Sequence, residues 1–310
     1  MEIANRYDIP VVEDAAEGMG SRFNGQVLGT FGRYGVLSFN GNKMITTSGG
    51  GALICRNAEE ANQVMWLATQ ARDSYPYYQH TAIGFNYRMS NVCAGIGRGQ
   101  MTEVDAHIEH HKHVQKLYEE LLTNVPGVHV HSQPGSRLMV KGSRLEEDNH
   151  EPCTLNHEPV YDSNFWLCTM TLDPSVKIKG QENAYKEVIK TAVGGAAGVI
   201  HQVDSPTTDC QPNDNVEALR VWMLNKKVEC RPVWKPMHKQ PVYTKVESGE
   251  LRVESLPNGI IRQTSDNSVA YTRGVEEEIF KVGMCLPAGP YVSDEDVRYI
   301  VGCIKEAIVG

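Results

Sequence analysis

The chain has 310 residues, 41% of them apolar, which is enough to bury the core of one large domain or two ordinary ones. Its formal net charge of −8, without an extended basic run, argues against nucleic acid or an anionic membrane surface as a partner. No apolar stretch approaches the roughly 20 residues of a bilayer-spanning helix, and the first ten residues lack the features of a secretory signal. We therefore expect a cytoplasmic globular protein that binds a small molecule or another protein.

Strands and helices alternate in the first third of the chain, which predicts an α/β fold. The run "IPVVEDAAEG" ends at acidic and small residues, as a buried parallel strand does where it opens onto a functional loop. "GVLSF" and "GGALIC" are two further predicted strands, and the loop between them carries Lys43. Helical patterns follow over 57–71 and 90–122, and Ser90 is positioned to cap the second one.

The middle of the chain is less regular. Residues 134–158 and 176–212 are rich in Gly, Pro, Asp and Ser, so we interpret them as loop insertions in a smaller domain. Regular secondary structure is predicted again after this region: a helix over 216–226, a strand in "KVECRPVW", and a final helix that Ser293 caps.

Cysteine and histidine patterns do not predict a metal. Eight cysteines lie far apart without a Cys-x-x-Cys pair, which is typical of reduced and mostly buried thiols in a cytoplasmic chain. His107 and His111 lie one helical turn apart in "HIEHHKH", a spacing that can hold a metal ion. Because no further ligands accompany them, we expect a solvated helix face instead.

Lys43 and Asp14 are the candidate catalytic pair. A lysine attacks carbonyl carbons only when its amine is deprotonated and held in place, and a tight loop beside strand ends can do both. Taken singly, the two residues have ordinary explanations as a solvated loop lysine and a helix-capping acid. Together, an acid at one strand end and a lysine two strands later could grip opposite ends of a pyridine ring, as in a pyridoxal phosphate site.

Four sequence blocks, in the same order, resemble the DegT/DnrJ/EryC1/StrS family of nucleotide-sugar aminotransferases. They are "EDAAEGMGSRFNGQVLGTFGRYGVLSFNGNKMITTSGGGALI", "GFNYRMSNVCAGIGRGQM", "SNFWLC" and "ECRPVWKPMHKQPVY". The resemblance implies the α/β fold of a fold-type I transferase that depends on pyridoxal 5'-phosphate (PLP). It also implies a homodimer that moves an amino group from an amino acid, commonly glutamate, to a keto sugar carried on a nucleotide.

The resemblance further implies a domain division. Residues 1–122 correspond to the C-terminal part of the large PLP-binding domain, with its mainly parallel sheet and a linking helix, and residues 123–310 to a smaller α+β domain. The segment "IANRYDIPVVEDAAE", normally deep inside the large domain, begins here at residue 3. We therefore expect an N-terminally shortened member that lacks part of the central sheet and of the cofactor site, and that does not turn over by itself.

Residue roles follow from the matched blocks. Lys43 matches the Schiff-base lysine, which also carries the proton between cofactor and substrate, and Asp14 the acid that keeps the pyridine nitrogen protonated. Ser38 matches a hydroxyl donor to the cofactor phosphate, and Asn86 a residue that reaches the phosphate from the neighbouring subunit. Glu17 falls where many members have Gln near the phenolic oxygen of the ring.

Substrate contacts are expected from two segments. Tyr87 and Arg88 could join the substrate pocket, although an exposed surface pair explains them equally well. In "RPVWKPMHKQP", Trp234 and His238 could present a ring and a donor to a sugar or nucleotide. Packing is the alternative for Trp234, whereas the family places this histidine near the mouth of the active site. The glycines at 49–51 lack the spacing of a nucleotide-binding loop, so we interpret them as letting backbone pass close to the cofactor.

Three functions remain open. The first is an aminotransferase that makes a 4-amino or 3-amino nucleotide sugar for surface polysaccharide or glycan. The second is a PLP-dependent sugar dehydratase, which Lys43 disfavours because those enzymes carry histidine at that position. The third is a non-catalytic family fragment that keeps the dimer surfaces but not turnover. The identity of the sugar, nucleotide and amino donor depends on loop shapes and is not predicted.

Overall fold

A computed structural model of the chain describes residues 1–133, 160–186, 210–244, 252–256, 260–264 and 269–309. The chain forms two compact units, one of Met1–Gln115 with Ser132–Trp166 and the other of Lys116–His131 with Leu167–Gly310. The predicted insertion at 134–158 lies outside the described residues, as does most of the one at 176–212. The domain boundary predicted at residue 122 stays a prediction.

The elements are numbered in chain order. The helices are α1 (Glu2–Arg6), α2 (Ala58–Ala68), α3 (Asn91–Met101), α4 (Val104–Leu122), α5 (Asp214–Asn225), α6 (Pro241–Thr244), α7 (Val275–Val282) and α8 (Asp294–Ala307). The strands are β1 (Val12–Asp14), β2 (Arg22–Phe23), β3 (Gln26–Val27), β4 (Tyr34–Ser38), β5 (Gly51–Cys55), β6 (Val128–Val130), β7 (Tyr161–Asp162), β8 (Cys168–Leu172), β9 (Lys177–Ile178), β10 (Arg231–Pro232), β11 (Arg252–Ser255), β12 (Ile261–Thr264), β13 (Val269–Thr272), β14 (Gly283–Leu286) and β15 (Ile308–Val309).

The main sheet of the first unit has the order β1–β4–β5. Strand β4 runs parallel to β1 and antiparallel to β5. Its backbone passes so close to the preceding turn that a Cβ on Gly35 would lie 1.9 Å from the carbonyl oxygen of Gly29. Any larger residue would clash here, which explains why β4 has a glycine at position 35.

Strand β1 departs from the expected burial. The sequence predicts a buried strand here, but Val12 is 60% exposed and the strand shows an exposed–intermediate–exposed pattern. The physical reason is that β1 has one neighbour, β4, within the described residues, so it is an edge strand of this sheet. Leu53 of β5, at the opposite edge, is also exposed.

A second, smaller sheet of the first unit has the order β3–β2–β7. Strand β7 pairs antiparallel with β2, so that Arg22 lies opposite Asp162 and Phe23 opposite Tyr161. This pairing brings the segment after β7 back to residues far earlier in the chain. The segment contributes to the candidate active site.

Side-chain caps start the predicted helices of the first unit. Asn57 accepts a hydrogen bond from the backbone of Glu60 at the start of α2, and Ser90 accepts one from Cys93 at the start of α3. The single helical stretch predicted over 90–122 is two helices, α3 and α4, with a break after Met101.

The second unit has an antiparallel sheet of order β10–β14–β8–β6. Helices α5 and α8 pack against each other, and apolar side chains supply the core because burial removes them from water. Fully buried residues include Met170, Leu172, Leu219, Met223 and Ile304. Helix α8 begins with a capping box, as predicted: Ser293 accepts a hydrogen bond from the backbone of Asp296, which accepts one in return.

Seven of the eight cysteines lie in the described residues, and all seven are free thiols. Five of them are buried, namely Cys168, Cys210, Cys230, Cys285 and Cys303, which confirms for this part of the chain the prediction of mostly buried thiols. No helix among the described residues is long and apolar enough to span a bilayer.

Candidate active site

Two of the predicted residues lie at the carboxyl ends of β1 and β4, at one end of the main sheet. Asp14 is the last residue of β1 and Ser38 the last of β4. Because these strands are parallel, with Asp14 opposite Val36, both residues lie at the same end of the sheet. The loop that carries Lys43 begins at this end after Ser38. A carboxylate and a hydroxyl therefore lie at one end of the sheet, where the loop of the lysine begins.

The two acids that end β1 have different roles. Side chains alternate along a strand, so Glu13 and Asp14 point to opposite faces. Glu13 accepts hydrogen bonds from the backbone nitrogens of Gly29, at 2.8 Å, and Gly32. Asp14 is exposed and accepts one bond, at 3.1 Å, from the backbone nitrogen of Ala16, which closes a turn and caps no helix. Glu13 therefore holds the 29–32 loop, whereas Asp14 keeps its carboxylate accessible to a ligand.

Lys43 is held from two sides. Its Nζ donates a hydrogen bond to Glu17 Oε1 at 2.9 Å and lies 4.4 Å from the centre of the Trp166 ring. The Lys43 side chain is only 14% exposed, so it is not a solvated loop lysine. A carboxylate and the face of an indole both attract an ammonium group. The amine is thus shielded and aimed within the first unit.

The segment that carries Trp166 is tied to the loops of this site. The indole nitrogen of Trp166 donates to the carbonyl oxygen of Asn42 at 2.6 Å. The side-chain nitrogen of Asn164 donates to the carbonyl oxygens of Glu17 and Met19, each at 2.9 Å. These three bonds connect one short segment to the loop of the lysine and to the loop of its acid partner.

Sequence reasoning missed Asn164 and Trp166. They stand in "SNFWLC", a block that carries the family resemblance, and a tryptophan two residues after an asparagine has no chemical signature of its own. Both side chains are buried. The signal that could have found Asn164 is the rule that a buried amide must be hydrogen-bonded, but its burial is known only from the folded chain.

His107 and His111 of α4 correct one expectation. They do not form a solvated face, because His107 Nδ1 lies 3.2 Å from the carbonyl oxygen of Met44, and His111 is buried with Nδ1 donating to the carbonyl oxygen of Phe165 at 3.0 Å. Burial lowers the pKa of His111 to about 4, although the bond to Phe165 opposes the shift. Both histidines hold backbone next to Lys43 or Trp166. Across the described ranges, no group of three or more His, Cys, Asp or Glu side chains is arranged to hold a metal ion.

Three of the predicted site residues lie in the loop between α2 and α3. Asn86 is exposed and its backbone bridges to Thr69. Tyr87 is exposed and stacks on Phe85, with ring centres 5.1 Å apart. Arg88 is exposed and its guanidinium contacts the sulfur of Met65. These three contacts do not involve Asp14, Ser38 or Lys43, so the assignment of the three residues to the site stays a prediction.

Trp234 and His238 lie in the second unit. Trp234 is mostly exposed, so packing does not explain it. His238 is largely buried, and its Nε2 donates to Glu277 Oε1 at 3.0 Å. Although burial opposes it, the hydrogen bond from His238 and the charge of Lys239 lower the pKa of Glu277. One nitrogen of His238 is therefore committed to a local hydrogen bond, and the contact of His238 with substrate stays a prediction.

Comparisons with known proteins agree on one family. Residues 1–148 match the model of the DegT/DnrJ/EryC1/StrS aminotransferase family. EpsN of Bacillus subtilis (strain 168) is 29% identical over 305 residues, which cover 97% of this chain and 57% of EpsN. A GDP-perosamine synthase of Caulobacter vibrioides is 28% identical over 309 residues, which cover 100% of this chain and 62% of that protein.

The fold is shared with solved aminotransferase structures. The crystal structure of the aminotransferase TlmJ from Streptoalloteichus hindustanus has a TM-score of 0.65 and 20% sequence identity, and the match covers 99% of this chain and 60% of TlmJ. The predicted fold is therefore confirmed. The chain spans about 60% of the length of these relatives. The family model matches the segment that carries Asp14, Ser38 and Lys43, and the relatives match nearly the whole chain, so the chain is similar to proteins of the DegT/DnrJ/EryC1/StrS aminotransferase family.

Proposed function

We propose that this protein transfers an amino group from an amino acid, with glutamate as the expected donor, to a keto sugar carried on a nucleotide. The observation that carries the proposal is the Lys43 amine, held 2.9 Å from Glu17 on the loop that begins at the sheet end bearing Asp14 and Ser38. The match of residues 1–148 to an aminotransferase family model supports the reaction, and similarity to a GDP-perosamine synthase supports a nucleotide-linked amino sugar as product. The product serves polysaccharide or glycan synthesis.

The residues at this end of the sheet fit PLP as the cofactor. The cofactor presents an aldehyde carbon, a basic ring nitrogen and a phosphate. The chain offers an amine in Lys43, a carboxylate in Asp14 and a hydroxyl in Ser38, one group of suitable chemistry for each. Ser38 Oγ accepts a bond from the backbone nitrogen of Asn40 at 3.4 Å, which leaves its own hydrogen available to a phosphate oxygen. When bound, PLP supplies an electrophilic carbon and an electron-accepting ring.

The chain's own groups handle the protons. Lys43 Nζ is the nucleophile and proton carrier once it has lost a proton, and Glu17 Oε1, at 2.9 Å, is placed to accept that proton. The negative charge of Asp14 favours a proton on a ring nitrogen beside it. Two opposite charges about 4 Å apart at an effective dielectric constant near 20 attract each other by on the order of 4 kcal/mol before desolvation is subtracted, which is the upper scale of such an effect. The indole of Trp166 excludes water from one side of the amine.

The substrate residues belong to the proposal as well. Asn86 is proposed to reach the cofactor phosphate of a neighbouring subunit. Tyr87 and Arg88, which are exposed, and Trp234 and His238 of the second unit are proposed to contact the sugar or the nucleotide. An exposed tyrosine or tryptophan ring next to a cationic side chain suits a planar base or a sugar face with an adjoining diphosphate.

A cytoplasmic homodimer is part of the proposal. Exposed aromatic and aliphatic side chains are concentrated on the loop between α2 and α3, and they are Tyr75, Tyr77, Tyr78, Ile83, Phe85 and Tyr87. Large exposed apolar patches are rare in monomeric proteins, whereas subunit interfaces are rich in aromatic residues. The free thiols of the described cysteines suit a reducing compartment.

Reductive trapping tests the proposal. After addition of PLP and reduction with borohydride, peptide mapping should find the pyridoxyl group on Lys43. The Lys43→Arg variant should lose this label, whereas the Lys112→Arg variant, which removes another paired lysine of the same unit, should keep it. A label on a different lysine, with Lys43 unmodified, would refute the assignment.

Turnover separates the aminotransferase from the two alternatives. Glutamate-dependent amination of a nucleotide-linked keto sugar supports the aminotransferase. Trapping on Lys43 without any amination favours the non-catalytic fragment, which the exposed apolar residues of β1 and β5 would also suit. Loss of a sugar hydroxyl without amination would indicate a dehydratase, the reaction that the lysine at position 43 disfavours.

A further inference from the structure

The indole of Trp166 is more than a packing residue of the first unit. Trp166 is 8% exposed, and the centre of its ring lies 4.4 Å from Lys43 Nζ. Glu17 supplies a second contact to the same nitrogen, at 2.9 Å. The amine is thus bounded by one charged oxygen and one ring face.

We propose that Trp166 and Glu17 form the docking position of the Lys43 amine whenever that amine is not bonded to a ligand. The significance of this position rests on the proposed function, in which Lys43 must alternate between a bonded and a free state. Each release requires the free ammonium group to be held close to where it will react again. The indole face and the carboxylate do this without using Asp14 and Ser38, whereas Glu17, which is expected near the phenolic oxygen of the ring, would hold the amine in the absence of the cofactor.

The position of the indole is set by a bond to the lysine loop itself. Trp166 Nε1 donates to the carbonyl oxygen of Asn42, the residue before Lys43, at 2.6 Å. If the lysine loop moves, the indole moves with it. The ring face is therefore kept in register with the amine that it covers, which a tryptophan held only by apolar packing would not achieve.

The backbone before Trp166 is also constrained. Phe165 has φ +45°, a left-handed conformation that is uncommon for a bulky aromatic residue. Two bonds hold it there: its carbonyl oxygen accepts from His111 Nδ1 at 3.0 Å, and its backbone nitrogen donates to Ser163 Oγ at 3.1 Å. A strained residue that the surrounding structure over-determines, next to a proposed reactive group, points to positioning. Here the strained turn aims the next side chain, Trp166, at Lys43.

Asn164 connects the other half of the docking position to the same turn. Its side-chain nitrogen donates to the carbonyl oxygen of Glu17, and its Oδ1 accepts from the backbone nitrogen of Trp166, both at 2.9 Å. One buried amide therefore sets the spacing between the carboxylate and the indole. Trp166 and Asn164 are positioning residues for Lys43, since neither is proposed to touch substrate.

The reactivity of Lys43 in the protein without added PLP tests the inference. Trace acetylation with acetic anhydride at pH 8, followed by peptide mass spectrometry, gives the rate at Lys43 relative to Lys305, an exposed lysine of the other unit. The Trp166→Leu variant, which removes the ring face, should raise this ratio roughly 5- to 10-fold, the effect expected from losing a partly buried cation–π contact. The Trp166→Phe variant keeps a ring face but loses the bond to Asn42, so its ratio should rise less than that of Trp166→Leu, by roughly two- to threefold.

Matched variants control for general loosening. Trp222 of the second unit also lies beside lysines, with Lys179 and Lys226 at 5.3 and 5.1 Å from its ring, so Trp222→Leu should raise labelling there but not at Lys43. If Trp166→Leu raises labelling at Lys112 in parallel with Lys43, the packing of the first unit as a whole has loosened. The labelling of the Trp166→Phe variant then decides whether the docking position exists. A Phe variant whose labelling ratio at Lys43 lies clearly below that of the Leu variant supports the docking position, and one that matches the Leu variant at both Lys43 and Lys112 overturns it.

An unchanged Lys43 ratio in a folded Trp166→Leu variant would also overturn the inference. Because the labelling uses no cofactor, its outcome is independent of the reductive trapping that tests the proposed function. Trapping on Lys43 with an unchanged ratio would retain the proposed function and remove the docking position. A raised ratio at Lys43 without reductive trapping would retain the docking position and remove the proposed function.

Discussion

Trp166 donates its indole hydrogen to the carbonyl oxygen of Asn42 at 2.6 Å, across 124 positions of the chain. This bond joins a segment that follows β7 to the loop that follows β4. It is possible because β7 pairs with β2 and so returns the chain to the first unit. The environment of Lys43 is therefore assembled from two distant parts of the sequence, and changes in either part should affect it.

Replacing Asp14 with asparagine should reduce catalysis without weakening the fold. The exposed carboxylate makes one local hydrogen bond, which the amide oxygen of asparagine can also accept. In the proposed reaction, loss of its charge should lower kcat/KM roughly 10- to 1,000-fold, since solvent exposure reduces the full electrostatic attraction. Steady-state amination rates near wild type would refute its role, and a matching urea midpoint would verify that the fold is intact.

Replacing Glu13 with glutamine should have the opposite effect. Glu13 accepts two backbone hydrogen bonds with its carboxylate, and glutamine offers only one oxygen for them. The free energy of unfolding should fall by about 1 to 3 kcal/mol, as for the loss of a bond to a charged group. Urea denaturation of the Glu13→Gln and Asp14→Asn variants in parallel measures the contrast. Equal stability of these two variants would contradict the division of roles.

Stability should depend on pH through His111. Its pKa is about 4 in the folded chain and near 6.5 when unfolded, so between these values the unfolded state binds more protons. The contribution of this group is therefore fully present above about pH 6.5 and is lost as the pH falls toward 4. The difference between the two pKa values corresponds to about 2 to 4 kcal/mol.

The His111→Asn variant isolates this effect. The asparagine amide can still donate to the carbonyl oxygen of Phe165 but does not titrate. Urea midpoints measured from pH 7.5 to pH 4.5 should fall more steeply for the wild type than for the variant. Parallel curves for the two proteins would show that His111 does not govern the acid sensitivity.

Replacing Asn164 with alanine should destabilise the first unit. The side chain is buried, and its removal would leave the carbonyl oxygens of Glu17 and Met19 without this donor. We expect a loss of about 2 to 4 kcal/mol in the free energy of unfolding, from one or two buried polar groups left unsatisfied. The control is Asn183→Ala, which removes an exposed asparagine and should change stability by less than about 0.5 kcal/mol. Urea unfolding that fails to distinguish the two variants would rule out the proposed linkage.

The exposed apolar loop should govern self-association. Ile83 is 86% exposed, so Ile83→Asp should be harmless in a monomer but should disrupt a dimer that buries this loop. Tyr291→Asp changes a residue of the second unit that is 96% exposed and serves as the control. Sedimentation velocity should show a shift toward monomer for the first variant alone. A dimer that persists in Ile83→Asp would place the interface elsewhere.

Local sequence patterns determined much of the secondary structure. The caps at Asn57, Ser90 and Ser293 lie where polar side chains precede an apolar periodicity, and such signals depend on only a few neighbouring residues. The strands around the lysine loop were found for the same reason, because short apolar runs bounded by glycine are local features. Order and spacing of the four blocks were also sufficient to predict the family whose model matches residues 1–148.

Burial and partners were decided by the tertiary structure. The pairing of β2 with β7 puts Trp166 on Lys43 and buries Asn164, and nothing in "SNFWLC" predicts that contact. His111 shows the same limit. A histidine-rich helical stretch has the composition of a solvated face, and only the folded chain shows that the Phe165 carbonyl packs against it. Charge, caps and periodicity are properties of neighbouring residues, so the sequence alone determines them. Contacts across more than a hundred positions depend on which strands pair, and only the folded chain decides that.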